Sequence, residues 1–176
     1  RVARCDPTRV VVVVGYRHER VEAFLREADY GFPVVTAVNE AYERENGSSL
    51  HRAEPLVGES FVLAMADHVV DPALYRRAAA HHGLGLCTDT SPPVEDPDEA
   101  TKVRIEDGRV VAIGKGLERW DAVDTGVFKL PPAVFDALDA QEPTGEVTVT
   151  DAMTTLVDRG SDLESLDVSG HFWADV

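Results

Sequence analysis

Lysine is scarce in this 176-residue chain, which carries only Lys102, Lys115 and Lys129 beside 14 arginines. Against these cations stand 32 Asp and Glu, so the formal charge is −15 and the isoelectric point lies near 4.7. Such an acidic chain is repelled by nucleic acid and by anionic membranes. The composition therefore excludes nucleic acid as a partner and requires any polyanionic substrate to meet a local cation.

The bias towards arginine and carboxylates has two explanations of equal weight. A hydrated acidic surface keeps a protein soluble in high salt, where self-repulsion is screened. A GC-rich genome also encodes arginine in place of lysine. Composition alone does not separate a halophilic protein from this second explanation.

Cysteine, long apolar runs and the common ligand motifs are sparse as well. Cys5 and Cys87 form no CxxC pair, which is typical of a reducing compartment. No apolar run reaches the ~18 to 20 residues of a membrane span, and no signal peptide is evident. GxGxxG, Walker and HExxH sequences are missing. We therefore expect a soluble, cytoplasmic protein without the commonest phosphate or zinc fingerprints.

The sequence has enough apolar residues, 44%, to build one core, and we expect a single domain over residues 1–176. Valine-rich and alternating apolar runs predict strands, and apolar stripes predict helices. The expected order is strand 9–15, helix 18–28, strand 33–38, a loop at 39–47, a short helix capped by Ser48 or Ser49, strand 60–66, helix 72–82, strand 84–88, a proline-rich acidic loop at 91–98, a hairpin at 101–113, strand 122–130, a helix from Pro131-Pro132 to 138, helix 149–158 and a strand opening at Phe172-Trp173.

This alternation predicts an α/β fold with a mostly parallel central sheet, an antiparallel part, an inserted β-hairpin and helices on both faces. The valine run at 9–15 is expected to be buried on both faces of that sheet. Sheets of this kind bind ligands at the carboxyl ends of their strands.

Carboxylates lie in or directly after three of the predicted strands. Asp67 ends the apolar run FVLAMA, Asp124 precedes Thr125-Gly126, and Asp175 stands beside Trp173. Gathered at one edge, such carboxylates suit Mg²⁺, which binds one or two of them together with substrate phosphates. On local grounds a turn role is as good an explanation for Asp67, with His68 a surface neighbour, and a better one for Asp124.

Two further features offer ligand contacts. The loop that carries Asn39, Asn46, Ser48 and Ser49 presents amides and hydroxyls suited to a ribose or a base, although such loops are commonly only loops. Lys102 precedes the hairpin and has the charge to hold a phosphate. A hairpin lysine that faces water is an equally good interpretation.

Read jointly, six segments resemble the sugar and polyol phosphate nucleotidyltransferases, and most closely the inositol-1-phosphate cytidylyltransferase branch. They occur in the family's order and span nearly the whole chain. They are VVVVVGY at 10–16, ENGSSL at 45–50, FVLAMADHV at 61–69, EATKV at 99–103, DAVDTGVF at 121–128 and WADV at 173–176.

The resemblance implies a Rossmann-like nucleotidyltransferase fold and a role for each matching residue. Asp67, at the end of a central strand, and Asp175 would bind Mg²⁺, and Asp67 and Lys102 would be the catalytic residues. Asn46 and Ser48 would lie at the nucleotide, and Asp124 and Thr125 at the acceptor. The implied reaction transfers CMP from CTP to a polyol phosphate, with inositol 1-phosphate favoured, and releases pyrophosphate.

The sequence departs from the family pattern at both ends. It shows no glycine-rich Arg/Lys segment, opens in a stretch like the tail of a helix at 1–8, and stops within the family's last motif. We therefore expect a domain truncated by about one βαβ unit at its amino end and cut near the carboxyl-terminal motif, and inactive alone. The alternatives are a non-catalytic nucleotide- or phosphoester-binding domain, or a sugar-1-phosphate nucleotidyltransferase that uses another NTP. Membrane association is expected only through a fused domain.

Overall fold

Strands and helices alternate along the computed structural model, which describes residues 2–92, 100–141 and 147–176. The strands are β1 (Val10–Val14), β2 (Val34–Val38), β3 (Phe61–Ala64), β4 (His68–Val70), β5 (Leu84–Asp89), β6 (Lys102–Glu106), β7 (Arg109–Gly114), β8 (Ala122–Leu130), β9 (Leu163–Asp167) and β10 (Trp173–Asp175). The helices are α1 (His18–Glu27), α2 (Asn46–Ala53), α3 (Pro72–Ala80), α4 (Ala133–Gln141) and α5 (Val149–Asp158), and short 3₁₀ helices occupy Val2–Cys5 and Glu54–Leu56.

The largest sheet has six strands in the order β3-β8-β5-β9-β7-β6, and the start of β8 also pairs with β6. β5 and β9 are parallel, whereas β8 and the β6–β7 hairpin run against their neighbours. The expected mixed α/β fold with an inserted hairpin is confirmed. The parallel share of the described pairings is smaller than expected, because β8 is antiparallel to each strand beside it.

Helices cover both faces of this sheet, as expected. Successive side chains of a strand point to opposite faces. Leu86 and Phe128 therefore join the core formed with α2, α4 and α5, while their neighbours Cys87 and Val127 join a second core beneath α3 and β10. β5 is buried at all six of its residues because both cores use it.

The valine run is the clearest departure from expectation. β1 pairs in parallel with β2, from Val10 opposite Val34 to Val14 opposite Val38. Among the described residues these two strands form a sheet of their own. Only Val14 is buried, and Val10–Val13 are half-buried. The expectation that the valine run is buried on both faces is therefore wrong for the described structure.

Local sequence signals locate the hairpin and two helix starts correctly. Asp107 and Gly108 both have positive φ, 49° and 79°, as a two-residue hairpin turn between β6 and β7 requires. Asp71 caps α3 by accepting a hydrogen bond from the Ala73 N–H at 2.7 Å. Thr148 caps α5 through a capping box with Asp151.

Other local expectations need correction. Neither Ser48 nor Ser49 caps α2, because the helix already begins at Asn46 after Glu45. The strand before Asp67 lies at the edge of the six-stranded sheet, not at its centre. The sequence pattern also missed β9, whose Leu163–Asp167 segment holds only two leucines among polar residues and is placed by its pairing with β5.

The last two sequence expectations concern the acidic loop and membrane-spanning helices. Most of the acidic loop expected at 91–98 lies outside the described residues, as does Glu99 of the EATKV segment. Within the described part of the chain, no helix combines the length and apolar character that a bilayer crossing requires.

Candidate functional site

The first part of the site is the turn between β3 and β4. The Met65 N–H donates to the carbonyl of Gly126 at 3.0 Å, which ties the end of β3 to β8. The chain then turns outward, so that the side chain of Asp67 is 64% exposed while His68, the first residue of β4, is 16% exposed. Asp67 therefore points its carboxylate into solvent at a fixed backbone position.

A short antiparallel ladder brings Asp175 to the same place. β10 pairs with β4 so that Asp175 lies opposite His68, and the Val176 N–H donates to the Asp67 carbonyl at 2.9 Å. One ligand atom from each of Asp67, His68 and Asp175 lies within 4.8 Å of the other two. We call these three residues the cation cluster.

The imidazole of His68 is held from three sides. Its Nδ1 lies 2.8 Å from the Thr125 carbonyl, and its ring stacks on Trp173 with centroids 6.5 Å apart. Gly126 closes the third side with φ of +75°, and a Cβ there would lie 2.3 Å from the ring. Only glycine fits this position, because it must provide both the left-handed conformation and the space.

Trp173 is itself anchored. Its Nε1–H donates to Oδ2 of Asp89 at 2.8 Å, and Asp89 is buried with its other oxygen accepting from the Ser91 N–H. A buried carboxylate needs such donors to offset its lost hydration. Asp89 therefore fixes the indole against which His68 packs.

Asp124 lies beside this cluster on β8. Its Oδ1 accepts from the Gly126 N–H at 2.7 Å. Loss of solvent raises the pKa of Asp124 to about 6, while that hydrogen bond and the charge of His68 oppose the rise. The structure thus joins Asp124 to the neighbourhood of Asp67 and Asp175.

Lys102 and Thr125 belong to the same part of the sheet. Lys102 pairs with Val123 across β6 and β8 and is only 7% exposed, so the interpretation as a lysine facing water was wrong. Thr125 is fully buried, and its hydroxyl donates to the Cys87 carbonyl at 2.9 Å. Its backbone carbonyl, not its hydroxyl, faces the cation cluster. A substrate role for either residue stays a prediction.

The polar loop after β2 forms a second, separate group. Asn39, 1% exposed, donates from Nδ2 to the hydroxyls of Ser48 and Ser49 at 3.1 and 3.0 Å and accepts from the Ala41 N–H. We call Asn39, Ser48 and Ser49 the Asn39 network. Asn46, which is exposed, accepts from the Val149 N–H at 2.8 Å and so helps to cap α5. Nucleotide contacts by Asn46 and Ser48 stay predictions.

The chemistry of the cation cluster fits a divalent cation. Asp67 and Asp175 are largely exposed, and among the described residues His68 is their one ion-pair partner. Two carboxylates of like sign repel one another, and a cation between them removes that repulsion. Sequence reasoning missed His68, Gly126 and the Trp173–Asp89 pair; the histidine directly after Asp67 was the available signal.

Comparison with known proteins gives a consistent picture. No model of a known protein family matches the chain. A "Bifunctional IPC transferase and DIPP synthase" of Rubrobacter xylanophilus is 36% identical over 168 residues, which cover 95% of this chain and 38% of that protein. The protein of the same name from Aquifex aeolicus is 37% identical over 168 residues, covering 94% of this chain and 37% of that protein. The chain thus spans less than two fifths of these curated relatives.

A solved structure supports the fold. The inositol-1-phosphate CTP transferase of T. maritima superimposes with a TM-score of 0.86 at 22% identity, over 99% of this chain and 76% of that one. The resemblance based on the six sequence segments is thereby confirmed, as is the expected nucleotidyltransferase fold. This chain thus has the fold of the T. maritima transferase, and over most of its length it is similar to part of the two curated relatives.

Proposed function

We propose that this chain is the cytidylyltransferase part of a larger protein and transfers CMP from CTP to a polyol phosphate, with inositol 1-phosphate as the favoured acceptor. One observation carries the proposal: the chain matches IPC transferase relatives over 95% of its length and folds so that Asp67 and Asp175 meet at one strand edge.

Asp67 and Asp175 would hold Mg²⁺, because Mg²⁺ prefers carboxylate oxygens and keeps its remaining positions for water and phosphate. When bound, the cation would neutralise the charge that develops on the phosphates during pyrophosphate departure. This answers how a chain of formal charge −15 accepts two anionic substrates.

The residues of the chain supply position. The β4–β10 ladder and the hydrogen bond from the Val176 N–H to the Asp67 carbonyl hold the backbone at Asp67 and at Asp175 close together. Lys102, which is 7% exposed on β6, would supply a positive charge for the acceptor phosphate. Phosphoryl-group chemistry of this type depends mainly on such positioning and on electrostatic stabilisation.

The test is pyrophosphate release from CTP and inositol 1-phosphate by the full-length protein that contains this chain. Asp67→Ala should abolish release, and the exposed Asp158→Ala should leave it unchanged as the matched control. Other NTPs and other phosphate esters, tested in parallel, identify the base and the acceptor. Full turnover by Asp67→Ala, or no turnover by the wild type with any pair, would overturn the proposal and favour a non-catalytic binding domain.

A further inference from the structure

We propose that His68 is the third protein ligand of the cation, binding it through Nε2 beside Asp67 and Asp175. The proposal rests on the cation of the proposed function and assigns a residue to it that neither the sequence nor the relatives assign. It follows from the hydrogen bonding, the packing and the position of one imidazole ring.

Hydrogen bonding fixes which nitrogen of His68 carries the proton. The Thr125 carbonyl, 2.8 Å from Nδ1, can only accept, so Nδ1 must be the donor. In the neutral ring Nε2 then carries the lone pair. Metal-binding histidines have this same arrangement, in which the second nitrogen donates to a carbonyl or carboxylate and orients the ring.

Packing fixes where that lone pair points. The ring is confined between Trp173 and Gly126, whose missing Cβ leaves the space that the imidazole occupies. A side chain that only balanced surface charge would not need a glycine with positive φ and a buried Asp89 to hold its neighbour. The environment of His68 restrains the ring as a ligand must be restrained.

The distances leave room for an ion. Nε2 lies 3.9 Å from Oδ1 of Asp67 and 4.0 Å from Oδ1 of Asp175, too far for a hydrogen bond to either. Around a cation bound at about 2.1 Å, adjacent donors stand roughly 3.0 Å apart and opposite donors roughly 4.2 Å apart. Nε2 can lie opposite only one of the two carboxylates, so the other must approach it by about 1 Å, which a largely exposed side chain can do.

A nitrogen donor changes which metal the site prefers. Mg²⁺ favours oxygen ligands, whereas imidazole binds first-row transition metals well. We therefore expect the cluster to bind Mn²⁺ about tenfold or more tightly than Mg²⁺. An Asp-only site would show a smaller difference.

The test measures metal binding by the full-length protein without nucleotide, so that no base nitrogen interferes. Mn²⁺ affinity is obtained by titration, and pulsed electron paramagnetic resonance detects nitrogen bound to Mn²⁺. His68→Asn keeps a donor near the Nδ1 position for Thr125 but has no atom at Nε2. His68→Gln places an amide oxygen near Nε2, and His82→Asn, at an exposed histidine outside the site, is the matched control.

We expect one imidazole nitrogen coupled to Mn²⁺ in the wild type and in His82→Asn. His68→Asn should lose the coupling and about tenfold or more of its Mn²⁺ affinity, while His68→Gln should lose the coupling and the preference for Mn²⁺ over Mg²⁺. Thermal melting shows that each variant is folded. Absence of Mn²⁺ binding, absence of nitrogen coupling in the wild type, or coupling retained in His68→Asn would overturn the proposal. Nitrogen coupling without CTP turnover would uphold His68 and reject the proposed reaction.

Discussion

The cation cluster and the Asn39 network are both polar, both follow strands, and differ in what their side chains bind. In the network, Asn39 is 1% exposed and uses both ends of its amide on Ser48, Ser49 and Ala41. In the cluster, Asp67 and Asp175 are 64% and 70% exposed, and His68 is their one ion-pair partner among the described residues. Two polar regions that both follow strands thus use their polar groups differently. Those of the Asn39 network bind one another within the protein, and those of the cation cluster face solvent.

The difference separates structural polar groups from ligand-binding ones. A buried amide is stable only when its hydrogen bonds are made within the protein, and its loss is felt in folding. Exposed carboxylates held close together repel one another and gain little for folding, whereas a partner of opposite charge removes that repulsion. Substitutions in the cluster should therefore change activity, and substitutions in the network should change stability.

The largest expected effect is that of Asp175→Ala. Removing one of two carboxylate ligands should lower pyrophosphate release by the full-length protein about 10³-fold or more, equivalent to roughly 4 kcal/mol. Because the side chain is 70% exposed, the melting temperature should change little. Turnover within tenfold of the wild type would show that Asp175 is not a ligand.

Asn39→Ala should have the opposite profile. It leaves the half-buried Ala41 N–H and two half-buried serine hydroxyls without their partner, so the free energy of unfolding should fall by about 2–4 kcal/mol. Denaturant titration measures the change, and the exposed neighbour Glu40→Ala should stay within about 0.5 kcal/mol. A stable Asn39→Ala protein with impaired turnover would contradict the structural role assigned to the Asn39 network.

At Asn46, a structural role and a ligand-binding role can be tested at one position. Asn46→Ala removes the acceptor for the Val149 N–H and should cost about 1 kcal/mol, like the loss of other helix caps. Asn46→Asp keeps an acceptor oxygen at the start of α5 and should retain stability. A raised KM for CTP in Asn46→Asp, at unchanged stability, would show the nucleotide contact that the sequence predicts.

Ser48→Ala should have the smallest effect. Asn39 loses one of two hydroxyl acceptors and keeps Ser49 at 3.0 Å, so the unfolding free energy should drop by only about 0.5–1 kcal/mol. For a chain of this size the melting temperature then falls by about 2–4 °C at most. A change in KM for CTP without a drop in the free energy of unfolding would show that Ser48 contacts the nucleotide and does not stabilise the Asn39 network.

Much of the fold was accessible from the sequence because its strongest signals are local. The Asp-Gly turn placed the hairpin, Pro72 after Asp71 placed α3, and the β8 prediction matches Ala122–Leu130. β9 and the half-buried state of β1 were not accessible, because both depend on which strand lies alongside. Pairing partners are distant in sequence and leave no periodic signal.

The site shows the same limit. Asp67, Asp124 and Asp175 were identified as carboxylates in or directly after strands, but only the β4–β10 ladder shows that Asp67 and Asp175 come together. The local pattern treats His68 as a surface residue, since nothing in the adjacent sequence shows that Thr125, Gly126 and Trp173 surround its ring. From the sequence, Lys102 could equally hold a phosphate or face water. Its burial excludes the second interpretation.

The three-residue ladder between β4 and β10 also determines when the site comes into existence during folding. Its partners lie more than a hundred positions apart, and closing such a long loop is entropically costly until other contacts offset the cost. Val70 and Trp173 of the ladder belong to the second core, so we expect the ladder and that core to form together. Affinity for a divalent ion should then appear only once the second core has formed, so that metal binding reports the formation of that core.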